Sequence, residues 1–367
     1  MKKILLDIGH PGHVHYFRNA IRLLEQRGHQ VAVVARDKEV TFNLLKAYGI
    51  PYTSRGTGSK GLLGKLLYIL KGDYHMLRVA RAFRPDLFLS FASPYAAHAA
   101  RLVGKPHIAF DDTEHARLAH LMYRPFTDTI VTPKAYRRRF GSKQICFDGF
   151  IELCHLAPAY FQPDPAVIRE VGLSTSDRFI LLRFVSWEAS HDVGQQGLTY
   201  QQKLELVNTL QRYGRVFISS EGKLPAELEP YRLTLAPYNL HHFLAYASLY
   251  IGEGSTTASE CALLGVPNIL VNSLLAPDTR PGVHTELERY GVQELFVSFE
   301  GVLERAESLL DQDARADWQE RRRQIFEEKI DVTSFMVWLV ENYPASFRTL
   351  QENPAYQYRF KLALEQV

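Results

Sequence analysis

The stretch Lys3-Ile4-Leu5-Leu6-Asp7-Ile8-Gly9-His10-Pro11-Gly12-His13 decides how the chain is read. Its apolar run has the length of a strand, is interrupted only by Asp7, and breaks into a glycine-bearing loop. Beyond the loop, Val14, Phe17, Ile21 and Leu24 recur at helical spacing and Gly28 closes the segment. Strand, glycine loop and helix form the opening unit of a parallel sheet. At such a loop the unpaired amides and dipole of a helix N-terminus favour an anionic or polar ligand group, and Gly12 lets it come close.

The rhythm continues outward. Strand-like runs at residues 31–35, 87–91, 107–110, 129–131 and 145–147 alternate with helical segments, the signature of a parallel α/β domain. Residues 157–177 carry Pro158, Pro163 and Pro165 with little strand pattern, as a hinge would. A second α/β series follows, with strands at 179–185, 216–219, 249–252 and 268–271. From Val302 onward the pattern is helical. The reading is therefore a Rossmann-like domain over 1–160, a second over 175–330, and a helical extension over 331–367, the C-terminal helices bracing both domains.

With 367 residues the chain exceeds the size one core usually serves. A hydrophobic share of 46% and a charged share of 23% exclude a disordered chain, and a net charge of +3 is too mild for a nucleic-acid binder. No run approaches the roughly 20 apolar residues that span a bilayer. Cys146, Cys154 and Cys261 lack metal-ligand spacing and suggest a reducing, cytoplasmic setting. The apolar and basic stretch between Lys60 and Arg84 reads as a crossover helix, with peripheral contact to the inner face of a membrane as the alternative.

A second motif sharpens the reading: Gly252-Glu253-Gly254-Ser255-Thr256-Thr257-Ala258-Ser259-Glu260. Small and hydroxylated residues after a strand expose a helix N-terminus to a diphosphate, with Glu260 one turn in, able to accept from ribose hydroxyls. Gly254 to Val271 resembles the donor-binding segment of the GT-B N-acetylglucosaminyltransferase of peptidoglycan synthesis, and Gly9 to Val14 resembles its N-terminal glycine loop. Ser93 to Leu118, Phe126 to Pro133, Asp148 to Glu152 and Ala236 to Gly282 resemble the non-hydrolysing UDP-N-acetylglucosamine 2-epimerases. To about Leu310 the chain is similar to the domain of unknown function numbered 354, grouped with these enzymes.

The resemblance implies a GT-B fold, two Rossmann-like domains facing a central cleft, with a nucleotide-diphosphate sugar, UDP-linked, as substrate and no separate cofactor or metal. It implies Gly254 and Ser255 near the diphosphate, Glu260 on the ribose and Arg280 facing the nucleotide or sugar. Glu253 and Thr256, in the same loop, Gly12, and Ser186, Trp187 and His191, which follow the first strand of the second domain, complete the expected donor contacts. The epimerases' acid-base positions fall near Ser93 and near Ser186-Trp187, which carry neither an acid nor a histidine. Asp111-Asp112-Thr113-Glu114-His115 retains carboxylates at a strand end. Asp112, Glu114, His115 and His13 are thus the candidate acid-base residues. The expected reaction is sugar transfer to a polysaccharide, glycan or lipid-linked acceptor. Epimerisation or hydrolysis, and nucleotide-sugar binding without turnover, are the alternatives.

Overall fold

A computed structural model of the chain describes residues 1–58, 62–185, 197–220 and 222–362. It divides into two units, unit 1 comprising Met1–Tyr160 and Lys329–Ala363, and unit 2 comprising Phe161–Glu328. The segment from Lys329 returns to unit 1. The helices Val332–Glu341 and Ala345–Glu352 belong to unit 1, and Val302–Asp311 and Arg315–Glu328 to unit 2.

Unit 1 contains seven parallel strands, β1 (Lys3–Ile8), β2 (Gln30–Asp37), β3 (Thr53–Thr57), β4 (Leu87–Phe91), β5 (His107–Phe110), β6 (Thr129–Pro133) and β7 (Gln144–Phe147), in the order β3-β2-β1-β4-β5-β6-β7. The central strands are covered on both faces, so β4, Leu-Phe-Leu-Ser-Phe, is buried throughout. The helix Pro94–Val103 lies close because it offers Ala96, Ala99 and Ala100 to a core shared with Leu5, Phe88, Met76 and Ala80. Met76 and Ala80 belong to the crossover helix Leu62–Phe83, which supports the globular reading of that segment. Within it Gly72 is fixed by close approach. A Cβ there would meet the Tyr95 ring at 2.5 Å.

Unit 2 contains β8 (Phe179–Phe184), β9 (Arg215–Ser220), β10 (Leu249–Gly252), β11 (Asn268–Val271) and β12 (Glu294–Phe296), all parallel, in the order β12-β11-β10-β8-β9. The strand order reverses between β1 and β4 in unit 1 and between β8 and β10 in unit 2. Open parallel sheets bind ligands outside the carboxyl ends of the strands at such points. The residues there are Gly9 and Ser93 in unit 1, and Val185 and Glu253 in unit 2.

Asp148 holds the returning segment in unit 1. Its carboxylate lies 2.6 Å from Lys329 Nζ and 3.2 Å from Lys134 Nζ and accepts from the Tyr358 hydroxyl at 2.7 Å. Burial opposes its ionisation, but the bonds from Lys329 and Tyr358 outweigh that and lower its pKa. A depressed carboxylate stabilises above its unfolded pKa and loses that contribution as pH falls through the folded value. Asp148→Asn, which removes the carboxylate charge 2.6 Å from the buried Lys329 ammonium, is expected to cost about 3 kcal/mol at neutral pH. Thermal unfolding from pH 7 to pH 2 should show the gap between wild type and variant closing at the acid end.

Candidate functional site

In unit 1 the first switch-point loop is organised by Asp7, a carboxylate only 1% exposed on a strand whose other buried residues are apolar. Arg55, reaching over from β3, places Nε 2.9 Å from Oδ1 and Nη2 3.3 Å from Oδ2, and the Ser93 hydroxyl donates to Oδ2 at 2.5 Å. The remaining guanidinium edge donates to the Tyr68 hydroxyl at 2.7 Å, and its Cζ lies 4.3 Å from the Tyr95 ring centroid. Ser93 also caps the Pro94–Val103 helix by accepting from the Ala96 amide. One buried ion pair therefore ties together the ends of β1, β3 and β4.

The loop above it consumes its own amides. His10 is the N-cap of the helix Pro11–Gln26, and its Nδ1 accepts from Gly12 N–H at 3.1 Å. The His10 carbonyl accepts from His13 N–H at 3.0 Å, and Pro11 has no N–H. The open anion cradle expected at Gly9 to His13 is corrected here. A histidine cap supplies what a ligand would have supplied, and the Gly12 amide is already spent. Gly9 N–H donates to His13 Nδ1 at 3.3 Å. Burial first, then the charges of His10, Lys38 and Arg55, hold the His13 pKa well below the ordinary histidine value.

After β5 the two aspartates separate in role. Asp111 is buried and fully engaged, accepting from the Thr113 amide at 2.8 Å and the Tyr123 hydroxyl at 2.6 Å, with His120 Nε2 at 3.0 Å. The Arg138 guanidinium, which can only donate, sits 2.6 Å from His120 Nδ1, so the His120 proton lies on Nε2 and points at Asp111. Asp112 is half-buried and takes the Thr113 hydroxyl at 3.0 Å. Burial, followed by the adjacent Asp111 charge, pushes its pKa up to about 7.

Unit 2 presents the opposite arrangement. The helix Ser255–Leu264 begins after Gly254 with no side-chain cap from that residue, and among the described residues nothing is hydrogen-bonded to the first-turn amides of Ser255, Thr256 and Thr257. Its other end is closed. Gln319 donates to the Leu264 and Gly265 carbonyls, both at 3.0 Å, and Arg322 to the Leu263 carbonyl at 2.6 Å. Gly265 is required there, with φ +68° and room for Gln319 that a Cβ would fill. Arg183, on β8, donates to Ser219 at 2.8 Å and brings Nε to 3.9 Å from where a Gly254 Cβ would stand. The partial positive charge of a helix start and a neighbouring guanidinium give this end the sign that favours a negatively charged group.

With the residues matched running from 2 to 279, the chain fits the family described as Protein of unknown function (DUF354). The chain belongs to that family. The uncharacterized protein MJ0665 of Methanocaldococcus jannaschii is 23% identical to this DUF354 chain over 279 residues, covering 72% of it and 80% of the relative. Among solved structures, S. aureus MnaA with UDP is similar at TM-score 0.64 and 12% identity, covering 94% of this chain and 98% of that one. MurG of Acinetobacter baumannii is similar at TM-score 0.56 and 17% identity, covering 92% and 99%. The Neisseria meningitidis UDP-GlcNAc 2-epimerase bound to UDP-GlcNAc is similar at TM-score 0.55 and 11% identity, covering 88% and 93%. The DUF354 fold is thus GT-B, two parallel-sheet Rossmann-like domains.

The residues singled out in the sequence differ in what surrounds them in the DUF354 chain. Gly254, Ser255 and Thr256 form the open helix start. Glu253 and Arg280 are committed within the protein. The Glu253 carboxylate accepts from the amides of Val185 at 2.9 Å and Leu198 at 2.5 Å, while Arg280 binds the Leu275 carbonyl at 3.0 Å and Glu288 at 2.7 Å. Glu260 is buried with Oε1 2.9 Å from His241 Nε2, an arrangement that fixes its orientation. Ser186, Trp187 and His191 lie outside the described residues. Asp112, Glu114 and His115 share one loop, but Glu114 accepts from the Arg137 amide at 3.0 Å and anchors that segment, and His115 is half-buried beside it.

The raised Asp112 pKa carries a signed consequence. The folded protein retains a proton that the unfolded chain releases above pH 3.8, so stability falls as pH rises from there through about 7. Asp112→Asn should remove that slope, leaving the variant more stable than wild type at pH 8 and nearly equal at pH 4. Melting temperatures across this range check it, and parallel curves would contradict it.

Proposed function

We propose that this chain is a GT-B glycosyltransferase whose unit 2 holds a nucleotide-diphosphate sugar, UDP-linked, and whose unit 1 carries the acid-base group. The observation that carries the reading is the uncapped start of the Ser255–Leu264 helix at the β8/β10 switch point, with Arg183 beside it. Its orientation supports a diphosphate leaving group stabilised by amides and a cation without a metal. Glu260, held by His241, is the carboxylate for the ribose. Asp112, poised near neutrality in a half-buried site, is the base for an acceptor hydroxyl. Transfer is favoured over epimerisation because the loop after β4, Ala92-Ser93, carries no acid, and the Ser93 hydroxyl is spent on Asp7 and on the helix it caps.

Ser255→Asp separates ligand binding from folding. A carboxylate in the first helical turn interacts favourably with the helix dipole, by about 0.5 kcal/mol, yet occupies the diphosphate position with like charge. The variant should melt at or slightly above the wild-type temperature while its affinity for UDP falls at least about tenfold, a loss of ~1.4 kcal/mol. Unchanged UDP affinity in this variant would remove the donor site from unit 2.

The same reading places the protein in the cytoplasm, at the inner face of the membrane, acting on a lipid-linked acceptor. No helix among the described residues is long and apolar enough to cross a bilayer. Unit 1 nevertheless exposes Leu118 and Leu121 (64% and 72%) beside the exposed Arg117 and Arg124. Leucines flanked by arginines suit the headgroup region of an anionic bilayer. Co-sedimentation with phosphatidylglycerol vesicles should be lost in Leu118→Glu/Leu121→Glu and should weaken with salt. Binding equal to wild type would dissociate this face from the membrane.

A further inference from the structure

His13 was expected among the proton-accepting residues, yet its ring is held in a way that fits another role. A neutral imidazole has one donor and one acceptor nitrogen, and the group bonded to one of them fixes the state of both. Gly9 N–H can only donate and faces Nδ1 at 3.3 Å, so Nδ1 is the acceptor and the ring proton sits on Nε2. The ring cannot turn freely. Its centroid is 4.8 Å from that of Phe91, 6.2 Å from Tyr16 and 5.8 Å from His10.

The surroundings disfavour a second proton. The charged or titratable groups acting on the ring are His10, Lys38 and Arg55. The nearest strand carboxylate, Asp7, is already engaged by Arg55 and Ser93. A proton on Nδ1 would also point at the Gly9 N–H. Among the described residues no group is hydrogen-bonded to Nε2.

We propose that His13 is a neutral hydrogen-bond donor, presenting Nε2–H to an oxygen of the bound substrate, and not the base of the reaction. The occupant of that position is an oxygen lone pair, as on a hydroxyl, ring or phosphate oxygen. This deepens the transferase reading by assigning proton acceptance to Asp112 alone and charge or lone-pair stabilisation to His13.

The ring state can be read without any substrate, which keeps it separate from the transferase reading. Long-range proton–nitrogen spectra of the uniformly 15N-labelled full chain, with His13→Ala for assignment, should show a His13 ring protonated at Nε2 and unprotonated at Nδ1, unchanged from pH 8 to pH 5.5. A proton on Nδ1, or a midpoint near 6.5, overturns the proposal. A second arm measures UDP released from UDP-N-acetylglucosamine. His13→Gln keeps an amide N–H near the Nε2 position and should stay within about tenfold of wild type. His13→Asn keeps only the acceptor toward Gly9 and should fall by about 10²–10³, the loss typical of removing one such donor. Equal losses in the two variants overturn the donor role.

Discussion

Asp7 is a buried carboxylate near the end of a strand covered on both faces, and its charge is met by Arg55 and by the Ser93 hydroxyl. Removing either partner of such a pair leaves an uncompensated charge where water cannot reach, so the ends of β1, β3 and β4 are fixed together. Everything at the first switch point rests on this. The Gly9 loop stands above the pair, and the Pro94–Val103 helix starts from the serine that completes it.

The first strand of unit 2 carries the opposite charge at the equivalent place. Ile4-Leu5-Leu6-Asp7-Ile8 and Ile180-Leu181-Leu182-Arg183-Phe184 share the pattern of an apolar run with one ionisable residue before the last. In unit 1 that residue is an acid, and the helix above it is closed by its own histidine cap. In unit 2 it is a guanidinium, and the helix beside it begins uncapped while its far end is neutralised by Gln319 and Arg322. Two similar sheets thus carry ionisable residues of opposite sign one position before the ends of their first strands, beneath helix starts that are capped differently.

Much of this was legible in the sequence, and the exceptions have physical causes. The strands of both sheets that are buried on two faces read as continuous apolar runs and were found where expected. β3, Thr-Ser-Arg-Gly-Thr, was not, because an edge strand needs no apolar pattern. The glycine loops were recognisable, but whether their amides are free depends on a ring nitrogen two residues away, which spacing alone does not show. Glu253 looked like a ligand residue by position, whereas it binds the amides of Val185 and Leu198, residues distant in sequence. Asp7 was visible as a charge inside an apolar run, and buried ionisable residues in strands seldom lack a purpose; Arg183 stands in the same way in β8 but is only partly buried.

The central claim is that unit 2 recognises a diphosphate through the open helix start. Isothermal titration of the full-length protein with uridine, UMP and UDP tests it most directly. The account predicts that affinity rises steeply along the series, with UDP bound at one site per chain and its affinity falling as salt increases. Equal affinity for uridine and UDP, or no heat with UDP at millimolar concentration, would contradict it.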